Sequence, residues 1–332
     1  MKLELKDIKK SFGEKEVLHG ISFEVESGRA LGLLGRNGAG KTTTIRIIMD
    51  VFHANSGEVI LDGEKFKPDK NMVGYLPEER GLYPKRIIKD QLIYLGMLRG
   101  LSRSKAEENT KKWLDRLEVS EYIDRKLDTL SKGNQQKVQL AATLVSDPEI
   151  VILDEPFSGL DPVNAQILKD VIRELIAANK IVIFSSHQMS YVEEFCEDIA
   201  IINHGEVVLS GNLDKIKEEY GSGRKRVSAE NYSLEELKEI CNSKLSDIVT
   251  VLGNTKHYVI LDMKDGVDMW KILEALKAEG VEVKTFGAYE PSLNDIFVSK
   301  VGEEEDAVED KSDEEEEKPK KKGLFAKKGG KM

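Results

Sequence analysis

The chain has 332 residues, 40% of them hydrophobic, enough to bury the cores of two modest domains. Its net charge of -10 argues against a general nucleic-acid binder, because a phosphate backbone calls for a basic surface. No apolar stretch reaches the roughly 20 residues that cross a bilayer.

The N-terminal "MKLELKDIKK" has no signal-peptide core, so the expectation is a cytosolic chain whose membrane role comes only through a partner. From there to about residue 212, apolar runs alternate with helical patterns. The runs are "ALGLLG" (30–35), "MVGYLP" (72–77), "EIVILDE" (149–155), "KIVIFSSH" (180–187) and "IAIINHG" (199–205). Continuous apolar runs suit strands buried on both faces of a parallel sheet, and helices are expected at 41–49, 134–146 and 162–178. A long, mostly helical insertion fills roughly 85–145. This is an α/β pattern.

The first run ends in "GRNGAGKTT" (35–43). Gly35, Gly40, Lys41 and Thr42 fit G-x-x-x-x-G-K-[ST] between a strand and a helix. Gly35, Arg36, Asn37, Gly38, Ala39 and Gly40 would curl their backbone N–H groups around phosphates, with the helix adding its positive end. Lys41 would reach the β- and γ-phosphates, the Thr42 hydroxyl would ligate Mg²⁺, and Thr43 would contact the α-phosphate. "IVILDEP" then brings Asp154 and Glu155 to a strand's carboxyl end beside that loop. Asp154 would hold the Mg²⁺ through water, and Glu155 would act as general base on the attacking water.

From 213 to 300 the texture changes. "RKRVSAE", "LEELKEICN", "DIVTVLG", "KHYVILDM", "VDMWKILEALKAEG" and "VEVKTFG" read as β-α-β-β-α-β, the order of a ferredoxin-like split βαβ unit. The segment 301–332 starts acidic and ends basic, too polar to offset its ordering entropy, and is expected to be disordered. Its seven lysines around Leu324 and Phe325 would touch an anionic membrane, or serve only as a solvated tail. Cys196 and Cys241, in helical patterns without a CxxC pair, read as buried thiols of a reducing compartment.

"LSKGNQQKVQLA" (130–141), "SGLD" (158–161) and His187 complete a series in which residues 2–215 resemble the ATP-binding subunit of ABC transporters. The resemblance implies an ABC-type nucleotide-binding domain at 1–212 with a helical subdomain, an accessory α+β domain at 213–300, ATP and Mg²⁺ as cofactors, and ATP hydrolysis coupled to transport. It further implies a head-to-tail dimer with a second copy or a homologous chain, docked on separate transmembrane permease subunits at the inner face of the cell membrane. Ser131, Lys132, Gly133 and Asn134 would cover the partner's γ-phosphate, Asp161 would cross the interface, His187 would contact the γ-phosphate, and Phe12 would stack on adenine or belong to the core. Two motifs depart from the general pattern. Glu78 stands where the family has glutamine and would meet the metal as a full charge; Lys132 and Asn134 turn LSGGQ into LSKGN. Both departures, in "GYLPEERGLYPK" and "LSKGNQQKVQ", resemble NatA-type sodium-exporting systems. Leu82 and Tyr83 would either offer apolar side chains to a membrane subunit or pack inward. The rival reading is a soluble ABC-type ATPase with a regulatory or assembly role.

Overall fold

The computed structural model describes residues 1–69, 72–79 and 81–301; the charged tail lies outside them from 302 onward. The chain opens with β1 (Lys2–Phe12), β2 (Lys15–Glu26) and the fully buried β3 (Ala30–Leu34). After the glycine loop come α1 (Lys41–Ile48), β4 (Ser56–Leu61), the short β5 (Glu64–Lys65) and β6 (Val73–Leu76). The helical insertion holds α2 (Ile88–Leu98), α3 (Arg103–Arg116) and α4 (Lys132–Leu144). The α/β alternation resumes with β7 (Ile150–Asp154), α5 (Pro162–Ala177), β8 (Ile181–Ser185), α6 (Met189–Phe195), β9 (Asp198–Asn203), β10 (Glu206–Asn212) and α7 (Leu213–Gly221).

A six-stranded sheet runs β10-β9-β3-β8-β7-β6. Its five apolar runs pair in parallel, and β10 closes the edge antiparallel to β9. Residues of β3, β7 and β8 are buried throughout, which is what strands covered on both faces require. A second sheet, β2-β1-β4-β5, is wholly antiparallel. Leu3, Leu5 and Ile8 of β1 face a core shared with Leu31, Leu33, Ile45 and Ile202, so the two sheets sandwich α1.

The last domain adds β11 (Arg224–Ala229), α8 (Leu234–Lys244), β12 (Val249–Asn254), β13 (Val259–Met263), α9 (Met269–Ala278) and β14 (Val283–Ala288). The sheet order β12-β13-β11-β14 is antiparallel throughout, the split βαβ arrangement expected from the sequence. It has its own core, built on Val227, Leu237, Cys241, Leu261 and Leu276; both cysteines are buried and unpaired.

Two segments at its ends belong elsewhere by packing. Leu213 and Ile216 of α7, and Leu293, Ile296 and Val301 of a terminal helix at 293–301, enter the core of the larger domain. Val301, counted with the tail on sequence grounds, is helical and 2% exposed. Ser292 and Asp295 cap this helix reciprocally, and the Glu193 carboxylate of α6 accepts from Leu293 N at 2.8 Å while pairing with Lys217 of α7 at 2.7 Å. Among the described residues, no helix is long and apolar enough to cross a membrane.

Candidate nucleotide site

The loop between β3 and α1 is shaped by its glycines. Gly35 has φ 154°, and a Cβ there would lie 2.3 Å from the Ile202 carbonyl oxygen of β9. Gly40, at φ 117°, is the N-cap of α1, where a Cβ would press on Leu18 at 2.6 Å. Only glycine combines this backbone with that closeness. The Lys41 ammonium donates to the carbonyls of Gly35 (2.7 Å) and Arg36 (3.2 Å), lying along the loop's inner edge.

A cleft of about 540 Å³ opens over the loop. Its lining gathers Gly35, Arg36, Asn37, Gly38, Gly40, Lys41, Thr42 and Thr43 with Glu78, Asp154, Glu155 and His187. Three distant segments thus converge, because β6 and β7 lie side by side and β8 sits between β7 and β3. Burial pulls the Lys41 ammonium below its ordinary range, opposed by the charges of Glu155, Asp154 and Glu78. Burial pushes the Asp154 carboxyl up, while hydrogen bonds oppose the rise. Hydroxyl and carboxylate oxygens beside a phosphate-shaped loop are the hard donors that a small divalent cation prefers, so Thr42, Asp154 and Glu78 fit such an ion. Among the described residues no group of three or more His, Cys, Asp or Glu side chains forms a stand-alone metal site; the cation would share its shell with the phosphates.

Glu155 adopts φ 47°, a left-handed conformation costing roughly 1–2 kcal/mol for an L-residue. Its surroundings hold it there. Its N–H donates to the Ser185 carbonyl at 2.8 Å. Its Oε1 lies 2.7 Å from both the N and the Nδ1 of His187, and its Oε2 accepts from the Ser186 hydroxyl at 3.0 Å. The strain and the three partners aim this carboxylate at the start of the loop after β8.

The remaining expected residues lie outside this cleft's lining. Ser131 is the N-cap of α4, accepting from Asn134 N at 3.3 Å. Lys132, Gly133 and Asn134 form the first turn of that helix, and a Cβ at Gly133 would sit 2.9 Å from Asn164 Nδ2 of α5. Asp161 caps α5, accepting from Val163 N, Asn164 N and the Asn164 amide. Ala39 is buried, its carbonyl bonded to Gly205 N. Phe12 is 45% exposed at the end of β1; it packs edge-on against Phe52 at 5.3 Å, under the Lys10 ammonium. Leu82 is buried, whereas Tyr83 is 70% exposed, so the two residues split between the inward and outward readings. Sequence reasoning missed Ser186, Tyr75 and Val17. Ser186 had a signal in its place between the strand and His187; Val17 lines the cleft from an alternating strand with no motif.

The family described as ABC transporter matches residues 18–158. The family described as the ATP-binding protein DrrA1-3-like, C-terminal domain, matches residues 211–301. An uncharacterized ABC transporter ATP-binding protein of Bacillus subtilis, YhaQ, is 38% identical over 301 residues, spanning 90% of this chain and 98% of its own length. The ABC transporter ATP-binding protein NatA of Bacillus subtilis is 34% identical over 223 residues, 64% of this chain and 91% of that protein. A solved ATP-binding subunit of an ABC transporter superposes with a TM-score of 0.62 at 28% identity, covering 73% of this chain and all of that structure.

Proposed function

Since the chain belongs to the ATP-binding subunits of ABC transporters, a family of ATP-hydrolysing proteins, we propose that it powers an exporter by closing head to tail on ATP and opening after hydrolysis. One observation carries the reading. The phosphate loop, Asp154, Glu155 and His187 line one cleft, while Ser131 to Asn134 sit on a helix N-terminus outside it. A chain with both halves of a site, held apart, needs a second protomer to join them. Ser131 and the first turn of α4 would present N–H groups to the partner's γ-phosphate, with Lys132 adding a cation. Lys41 and the loop amides hold the phosphates, Thr42 and Asp154 hold Mg²⁺ with Glu78 beside them, and Phe12 stacks on adenine. Mg²⁺, held by those residues, would offset the negative charge of the phosphates. Glu155 orients the attacking water and takes its proton, and His187 steadies the γ-phosphate. The division near 212/213 sets the motor apart from an accessory domain whose flanking helices, α7 and the one at 293–301, pack into the motor's core.

The test is complementation. Lys41→Ala spoils the phosphate loop and Ser131→Arg spoils the signature, so each homodimer is expected to lose nearly all turnover. Mixed in equal amounts, they form heterodimers in which one site draws an intact loop from one chain and an intact signature from the other. ATP hydrolysis by the mixture should recover to a substantial fraction of wild type. A mixture as inactive as its components would rule out the shared site.

For the transport half of the reading, Tyr83 is exposed beside α2, whose Tyr94, Met97 and Leu98 are also exposed. Positions 94, 97 and 98 fall on one helix face, and this apolar strip suits a transmembrane subunit, which would tether the chain to the inner face of the membrane. Sodium is the cargo we put first, on the resemblance of the Glu78 and Lys132 motifs to NatA-type systems. Vesicles reconstituted with the membrane subunit should then move Na⁺ on addition of ATP. ATP turnover with no Na⁺ flux would remove sodium and leave the motor intact.

A further inference from the structure

Tyr75 lies on β6, in parallel register opposite Ile152 of β7, two residues short of Asp154. Its hydroxyl reaches along the strands to donate to Asp154 Oδ2 at 3.2 Å. The same residue is pinned from behind, where the Thr143 hydroxyl of α4 donates to the Tyr75 carbonyl at 3.2 Å. Two residues beyond Leu76, the strand delivers Glu78 into the cleft. One short segment thus fixes one carboxylate of the candidate metal site and supplies another.

We propose that Tyr75 is a positioning residue for the divalent cation: its hydroxyl occupies one oxygen of Asp154 and leaves the other oriented for the metal's shell. This rests on the nucleotide reading above. The choice of side chain follows from charge. Asp154 is only 6% exposed, and a buried carboxylate oxygen needs a donor. An arginine or lysine would provide one, yet it would cancel the charge that attracts the cation. A phenol is neutral at physiological pH and carries an O–H that can donate, so the oxygen is satisfied and the full negative charge is kept. The reach of a phenol also spans the offset between positions 75 and 154, which serine or threonine on β6 would not.

Tyr75→Phe removes only the hydroxyl. Two binding measurements on the full chain decide, both independent of turnover. In EDTA, a fluorescent ATP analogue should bind the variant as tightly as wild type. With ATP present, Mn²⁺ binding followed by electron paramagnetic resonance should weaken about tenfold, the equivalent of one hydrogen bond to a charged group. In an Asp154→Asn background the same change should have no further effect on Mn²⁺, because residues acting through one another are not additive. Unchanged Mn²⁺ affinity would overturn the proposal. So would an equal loss of analogue binding in EDTA, which would mark a structural role, or a full tenfold effect persisting in Asp154→Asn. If the wild-type chain itself binds no Mn²⁺ with ATP, the nucleotide reading fails first and this falls with it.

Discussion

Glu155→Gln is expected to bind ATP as wild type does, to hydrolyse it about 10²–10³-fold more slowly, and to elute as a dimer in the presence of ATP and Mg²⁺. The substitution changes one carboxylate oxygen into an amide nitrogen with no change of shape. The amide oxygen can still accept from His187 N, replacing the bond now made at 2.7 Å. The Ser186 hydroxyl, bonded to Oε2 at 3.0 Å, can rotate to accept from the new amide, since a hydroxyl both donates and accepts. The left-handed backbone of residue 155 is no harder for glutamine than for glutamate. Local structure therefore survives, and what disappears is the basic oxygen and its charge. Without hydrolysis the γ-phosphates remain between the protomers, and the closed population persists. Turnover within a few-fold of wild type would show that the attacking water loses its proton elsewhere.

Those site residues were legible because each rides on a strong local pattern. Continuous apolar runs marked β3, β7 and β8, and a glycine loop or an acidic pair at the end of such a run stands out against it. The C-terminal domain was legible for a different reason: its two helices end in plain caps, such as the Ser233–Glu236 capping box of α8 and Gly280 at φ 74° after α9, which punctuate the strand order. The antiparallel sheet was not read at all. In β1 only Leu3, Leu5 and Ile8 are buried, and the bulge at Asp7 breaks their alternation. The terminal helix escaped because its buried face holds few residues, Leu293, Ile296 and Val301, and the last of them adjoins the charged tail. The bonds of Tyr75 to Asp154 and of Ser186 to Glu155 join residues 79 and 31 positions apart. Only strand order and register bring them together, so no local pattern announces them.

The unread sheet is also where one methyl group should do the most damage. Gly57→Ala is expected to destabilise the larger domain by about 4 kcal/mol, a size confined to a few named mechanisms. Gly57, second in β4, has φ 79° and lies opposite the register shift that the bulge at Asp7 introduces between Lys6 and Lys9 of β1. A Cβ there would lie 2.2 Å from the Asp7 carbonyl oxygen and 2.4 Å from that of Lys6. Both are backbone atoms, and Asp7 cannot yield easily. Its own φ is 49°, its N–H is bonded to the Ser22 hydroxyl, and its carboxylate would meet a Cβ at Gly20 of β2 at 2.7 Å. The bulge is wedged between two glycines, so relief of the clash means parting β1 from β4. Gly63→Ala supplies the comparison within the same hairpin. Asp62 and Gly63 form the two-residue turn between β4 and β5, with φ 51° and 87°, the mirror-image geometry that Asp-Gly favours. No atom lies within 4 Å of a Cβ at Gly63, so that variant loses only the left-handed preference, about 1 kcal/mol. Urea unfolding of both variants measures the gap. Equal losses would mean that β1 and β4 do not approach as closely as described, and a folded Gly57→Ala chain with normal ATP binding would show that the cleft does not depend on this sheet.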